Sequence, residues 1–178
     1  MTLPNSAIKG GTMPERETIR RAKKDKREGK SPSTQAGEFV REEIHHVREG
    51  KHGARSAKQA IAIGLSKARR AGVRLPAPKK GEAPAETRKS AKRALASGRK
   101  KAKRPSARRA RATLKTLRRE PRRATSKRAL SRQARASARK RSAADRSAAA
   151  RKAVRTKGAA GRSAAARKAA RTRARRGT

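Results

Sequence analysis

The sequence predicts a mostly α protein: a small helical hairpin or three-helix N-terminal module, then a largely disordered, conditionally helical basic tail. Three observations carry this. Large apolar side chains recur at helical spacing only between about residues 14 and 75. The 178 residues include 56 Lys and Arg against 12 Asp and Glu, a formal net charge of +44. Hydrophobic residues are 32% of the chain, but most are alanine and Phe39 is the one aromatic. That leaves too little Leu, Ile, Val, Phe and Met to offset the ordering entropy of the whole chain.

Residues 1–13 read as a flexible N-terminus. The first helix opens at Pro14 in "PERETIRRAKKDKRE", with acidic residues in its first turn as the helix dipole prefers, and Gly29 ends it. Ile19 is its only large apolar side chain, so it is weakly anchored. The second helix runs from about Ser33 to Glu49 and stops at Gly50. Val40, Ile44 and Val47 fall at i, i+4 and i+7 with Phe39 at the edge of their stripe.

The third helix is "SAKQAIAIGLSKARRAGV", Ser56 to Val73. Ser56 with Gln59 three residues later is a capping-box pattern. Ile61, Leu65 and Ala68 form the apolar stripe, and Ala57 and Ala60 extend it with small contacts. Arg69 and Arg70 suit the negative end of the dipole, and Gly72 with Val73 predicts a Schellman stop. The second and third helices fit together as a hairpin across "GKHGAR". Its expected core is Phe39, Val40, Ile44, Val47, Ile61, Ile63 and Leu65, with Leu75 beside it. Cores this small seldom supply more than ~3–5 kcal/mol, so partner binding or self-association through the module is expected to help fix it.

The module (residues 14–75) gives way to a Pro-rich linker (76–87) and the tail (88–178). Residues 1–87 carry 20 basic and 10 acidic side chains; residues 88–178 carry 36 basic ones against Glu120 and Asp145 alone, a net +34. A 16-residue repeat runs through the end of the tail: "RSAAARKAVRT" at 146–156 recurs as "RSAAARKAART" at 162–172. Ala, Arg and Lys favour helix, but like charges one turn apart, as at Arg151 and Arg155, oppose it. The free tail is therefore expected to be disordered, with short helices forming on a polyanion between breaks at Pro105, Pro121 and the glycines.

A pI near 12 points to nucleic acid as partner. Double-stranded DNA carries one charge per ~1.7 Å of axis, so the tail matches about 17 base pairs. The candidate phosphate-binding residues are Arg99, Lys100, Lys101, Lys103, Arg104, Arg108, Arg109, Arg118, Arg119, Arg122, Arg123, Arg139, Lys140, Arg141, Arg151, Lys152, Arg155, Arg167, Lys168, Arg171, Arg173, Arg175 and Arg176. With no aromatic, no Asn and only Gln133 in the tail, base stacking and bidentate adenine readout are excluded or nearly so. What remains is backbone binding with little sequence preference. The leading expectation is a non-enzymatic, nucleoid-associated, histone-like DNA-binding protein of the cytoplasm. The alternatives are an RNA- or ribosome-associated protein, and a protein–protein adaptor that its tail tethers to nucleic acid.

No cysteine means no disulfide or thiolate metal site, and no apolar run suits a signal peptide or a membrane span. No cofactor, small-molecule substrate, metal or membrane partner is expected, and no nucleotide-binding or hydrolase motif appears. His45 and His46 point about 100° apart on one helix and cannot easily share a metal. Glu42, one turn before His46, is placed to pair with it. These histidines, His52, Glu42, Glu43 and Glu49 are read as an ordinary solvated polar face. Ser126 and Ser142 sit beside basic residues; helix capping and solubility are preferred over phosphorylation as their role.

The stretch "GKHGARSAKQAIAIGLSKARRAGVRLP", Gly50 to Pro76, resembles the signature of a small bacterial family of unknown function whose members are short and basic. The resemblance spans about Pro14 to Pro78 and implies no reaction and no catalytic residues. The tail is similar in composition to the Ala/Lys/Arg-rich tails of linker-histone-like bacterial proteins.

Overall fold

A computed structural model of the chain describes residues 13–99 and 106–175, without the side chains of Arg99, Thr156 and Lys157. The expected flexible N-terminus lies outside the described residues except for Met13, as do Lys100, Lys101, Lys103, Arg104, Pro105 and Arg176. The described residues form helices α1 (Arg16–Arg27), α2 (Pro32–Arg48), α3 (Ala57–Arg70), α4 (Ala85–Arg99), α5 (Ala107–Arg118), α6 (Lys127–Arg139) and α7 (Ala143–Ala174). A 3-10 turn lies at Arg122–Thr125, and there is no strand among the described residues. The chain divides into two compact units, Met1–Gln133 and Ala134–Thr178.

The first three helices start and stop where local chemistry dictates. Ser31 caps α2 and Ser56 caps α3, each accepting a backbone N–H through its hydroxyl. Gln59 Oε1 accepts from Arg55 N at 2.7 Å, one residue further back than a capping box reaches. α1 begins at Arg16, so Pro14 stands just outside the helix rather than at its first position. At the end of α3 the Schellman pattern is complete: Val73 N donates to Ala68 O, Gly72 N donates to Arg69 O, and Gly72 takes φ 91°. Val73 is buried there, as its hydrophobic contact requires. Gly29 and Gly50 close α1 and α2 with the same pair of bonds.

In the first unit α1 packs on α2, α2 on α3, and α3 on α4, while the 3-10 turn covers α2 and α3. The core is built largely of alanine (Ala22, Ala36, Ala54, Ala60 and Ala68), with Phe39 and Val47 its fully buried large apolar side chains. The hydrophobic stripes mark the centre of the interface in part: Val47, Ala60 and Ala68 are fully buried. Phe39, placed at the edge of the α2 stripe, is 1% exposed, whereas Val40, Ile44, Ile61, Ile63, Leu65 and Leu75 are only partly buried. The reason lies at Gly64. A Cβ there would stand 2.7 Å from Val40 Cα, so only glycine admits the backbone of α2. The small face of α3 (Ala60, Gly64, Ala68) therefore meets α2, and the larger side chains flank it.

Two features of the segment beyond residue 75 differ from the sequence expectation. The Pro-rich segment leads back: α4 packs on α3, and Arg69, itself buried, bonds the carbonyls of Leu75 and Pro76 at 3.2 and 3.0 Å. The chain around Leu117–Pro121 also docks on the α2–α3 turn, where Gly53 N donates to Leu117 O and Ala54 N to Pro121 O. Nor are the described residues of the tail irregular: α4, α5, α6 and α7 are helical. Their Ala, Arg and Lys content favours helix enough to outweigh i, i+4 repulsion, which costs only ~0.2–0.5 kcal/mol per exposed pair. Ser106, Ser126 and Ser142 each cap the helix that follows through the side-chain oxygen. Both copies of the 16-residue repeat lie in α7, and Gly158 (φ 63°, ψ 179°) breaks the helix between them.

Candidate nucleic-acid interface and a buried polar cluster

The predicted phosphate-binding residues that the structure describes are surface groups. Arg108, Arg109, Arg118, Arg119, Arg122, Arg123, Arg139, Lys140 and Arg141 are exposed, as are Arg151, Lys152, Arg155, Arg167, Lys168, Arg171, Arg173 and Arg175 of α7 and its C-cap. α7 has no apolar face. Its one large apolar side chain, Val154, is 44% exposed, and its other apolar residues are alanines. Its cations are spread around the helix, and Arg167, Lys168, Arg171 and Arg175 line one continuous strip with Ala164 and Thr172. The first unit carries a second strip that the charge count along the chain did not single out. Arg16, Arg20, Lys23, Lys26 and Arg27 line a shallow groove on α1 around Ile19.

The larger departure from the sequence reading is inside the first unit. Glu42, Glu43 and His46 of α2, His52 of the α2–α3 turn and Lys67 of α3 are all buried, with Glu43 at 0% and His52 at 1% exposure. Only His45 and Glu49 behave as the expected solvated face, paired to each other at 3.2 Å. Burying a charge is costly unless it is compensated, and the ammonium of Lys67 is the opposite charge that the cluster sets beside its two carboxylates. Lys67 Nζ stands 2.8 Å from Glu43 Oε2 and 3.7 Å from Glu42 Oε1, as ion pairs outside hydrogen-bond geometry. His52 Nε2 is 3.4 Å from Glu43 Oε1. Glu42 does not pair with His46; its Oε2 accepts the backbone N–H of Glu15 at 3.2 Å, beside the start of α1.

His46 turns to Glu15 instead, with Nε2 2.9 Å from Glu15 Oε1. That hydrogen bond, helped by the nearby Lys51 ammonium, holds the Glu15 carboxyl below its ordinary pKa. The two imidazole rings lie edge to face with centroids 6.1 Å apart. One potential ligand atom from each of Glu43, His46 and His52 lies within 4.8 Å of the others. Periodicity of apolar residues could not find this cluster, because its members are polar. The available clue was spacing: Glu43 and His46 are three apart on one helical face, and His52 follows the Gly50 turn that brings the chain back.

α7 and the other helices contain no segment long and apolar enough to cross a membrane, among the described residues. No curated protein and no solved structure matches the chain. Residues 23–80 match a family of unknown function, DUF6496, and that span holds α2, α3 and all five members of the buried cluster.

Proposed function

We propose that this chain is a non-enzymatic, nucleoid-associated DNA-binding protein that acts by neutralising phosphates with little preference for sequence. The observation that carries the reading is α7, a helix that buries no apolar stripe and offers ten Lys and Arg against one acidic residue, Asp145. A helix polar all round gains nothing from packing on a protein core, and a polyanion is the partner its chemistry fits. Arg contributes most of these cations, and its planar fork bonds phosphate oxygens in pairs. The basic strip on α1 adds a second phosphate-facing surface in the other unit.

DNA is favoured over RNA because the described helices present no aromatic platform for splayed bases; Phe39, the one aromatic, is buried in the core. The composition that the tail shares with linker-histone-like tails supports the same reading. The test is crosslinking of the full chain in cells and sequencing of the recovered nucleic acid. The proposal expects DNA spread along the chromosome without a motif and released by DNase. Recovery of RNA, released by RNase and not by DNase, would overturn it.

A further inference from the structure

We infer that Glu43, His46 and His52 form a binding site for a divalent transition-metal ion of the zinc class. His52 Nδ1 is 3.0 Å from the carbonyl oxygen of Gly53, which can only accept, so Nδ1 carries the hydrogen and neutral His52 leaves a lone pair on Nε2. His46 Nε2 faces the Glu15 carboxylate, so it donates, and neutral His46 leaves its lone pair on Nδ1. These two nitrogens, with both oxygens of Glu43, are buried and have no hydrogen-bond partner within the protein. One ligand atom from each of the three residues lies within 4.8 Å of the others, and both imidazoles already have their outer partners in place. That is the arrangement by which metal-binding histidines are held: the second ring nitrogen donates to a carboxylate or a backbone carbonyl, which fixes the tautomer and aims the ring.

Charge points the same way. Glu42 and Glu43 bring two negative charges and Lys67 one positive, so neutral histidines leave one buried negative charge that a divalent cation reverses. Two imidazoles and one carboxylate suit zinc, which binds such sets at about 2.0–2.2 Å. A tetrahedron with bonds of that length has edges of about 3.4 Å, so ligand atoms within 4.8 Å must draw together by about 1.4 Å at most. Lys67 Nζ, next to Glu43 Oε2, is the competing cation, and among the described residues Lys51 near Glu15 is the only other ammonium paired with the outer shell. The ion would pin α2 to the turn that starts α3, in a unit whose core is mostly alanine. Small cores of this kind are commonly reinforced by a structural metal.

The test uses the untagged full chain, stripped with a chelator. It is titrated with Zn²⁺ against a chromophoric chelator, and with Co²⁺ followed by visible absorption. One equivalent should bind, with a rise in melting temperature and the absorption of a four-coordinate Co²⁺ ion. His46→Gln and His52→Gln should each weaken binding at least tenfold, while exposed His45→Gln leaves it unchanged. Glu15→Ala, on the surface and compatible with folding, should weaken it about tenfold by loosening His46. The proposal is overturned if the folded wild-type chain binds no stoichiometric Zn²⁺ or Co²⁺. It is equally overturned if neither Glu15→Ala nor His52→Gln changes the affinity.

Discussion

Lys67→Met tests whether the buried ion pairs hold the first unit together. The Lys67 ammonium stands 2.8 Å from Glu43 Oε2 with both side chains out of contact with water. At an effective dielectric of about 20 the gross attraction across that distance is ~6 kcal/mol, most of it spent against desolvation of the two groups. Removing one partner strands the other, and such truncations cost ~3–5 kcal/mol. Since a core this small holds about the same amount, Lys67→Met in chelator-treated protein should leave the first unit largely unfolded. Methionine keeps the length of the side chain, so lost packing is a minor part of the effect. Glu43→Gln combined with Lys67→Met restores the net charge of the wild-type cluster and should recover part of the loss, the remainder being the Glu42 carboxylate left without its ammonium. Urea denaturation followed by far-UV circular dichroism reads all four corners of the cycle. A Lys67→Met chain within ~0.5 kcal/mol of wild type would refute the reasoning, since that is the range of ordinary surface substitutions.

Three further outcomes follow from the same structure. Gly64→Ala places a methyl 2.7 Å from Val40 Cα and should destabilise by ~1–2 kcal/mol, while Gly37→Ala, with open space around it in the same helix pair, should stabilise by up to ~1 kcal/mol; urea midpoints separate the two. Ser142→Ala removes the hydroxyl that accepts from Asp145 N at 3.0 Å and should cost α7 about 1 kcal/mol, seen as faster amide exchange in its first turn. Changing Arg167, Lys168, Arg171 and Arg175 together to Gln should flatten the slope of log affinity against log salt by about 3.6 if all four meet phosphate, measured by anisotropy on duplex DNA.

The helix boundaries around Gly29, Ser56 and Gly72 were legible because capping is local: one hydroxyl or one positive φ decides each. The α2–α3 pairing was legible too, since two apolar stripes of similar width sit either side of a Gly turn. Which face lies at the centre was legible only in part. Apolar periodicity points to Val47 and Ala68, which are buried, and equally to Val40, Ile44, Ile61 and Leu65, which are not fully so, while close approach at Gly64 puts Phe39, Glu43 and Lys67 inside. Burial of Glu43 depends on Lys67, more than twenty positions away, and no local pattern records such a pairing. The tail was misread for a related reason. Its net charge argues for disorder, but the charge is carried on residues with high helix propensity and begun by serine caps, and those local terms act whether or not a core exists.

The salt dependence of binding by the full chain tests phosphate neutralisation most directly. Fluorescence anisotropy with an arbitrary duplex of about 34 base pairs, twice the span that the tail charge matches, measures it. If α7 and its neighbours meet ~6–10 phosphates, log affinity falls against log salt with a slope steeper than about −5, and shuffled sequences give the same line. A slope shallower than about −2, or affinity that tracks sequence at constant salt, would contradict a protein that works by neutralising phosphates.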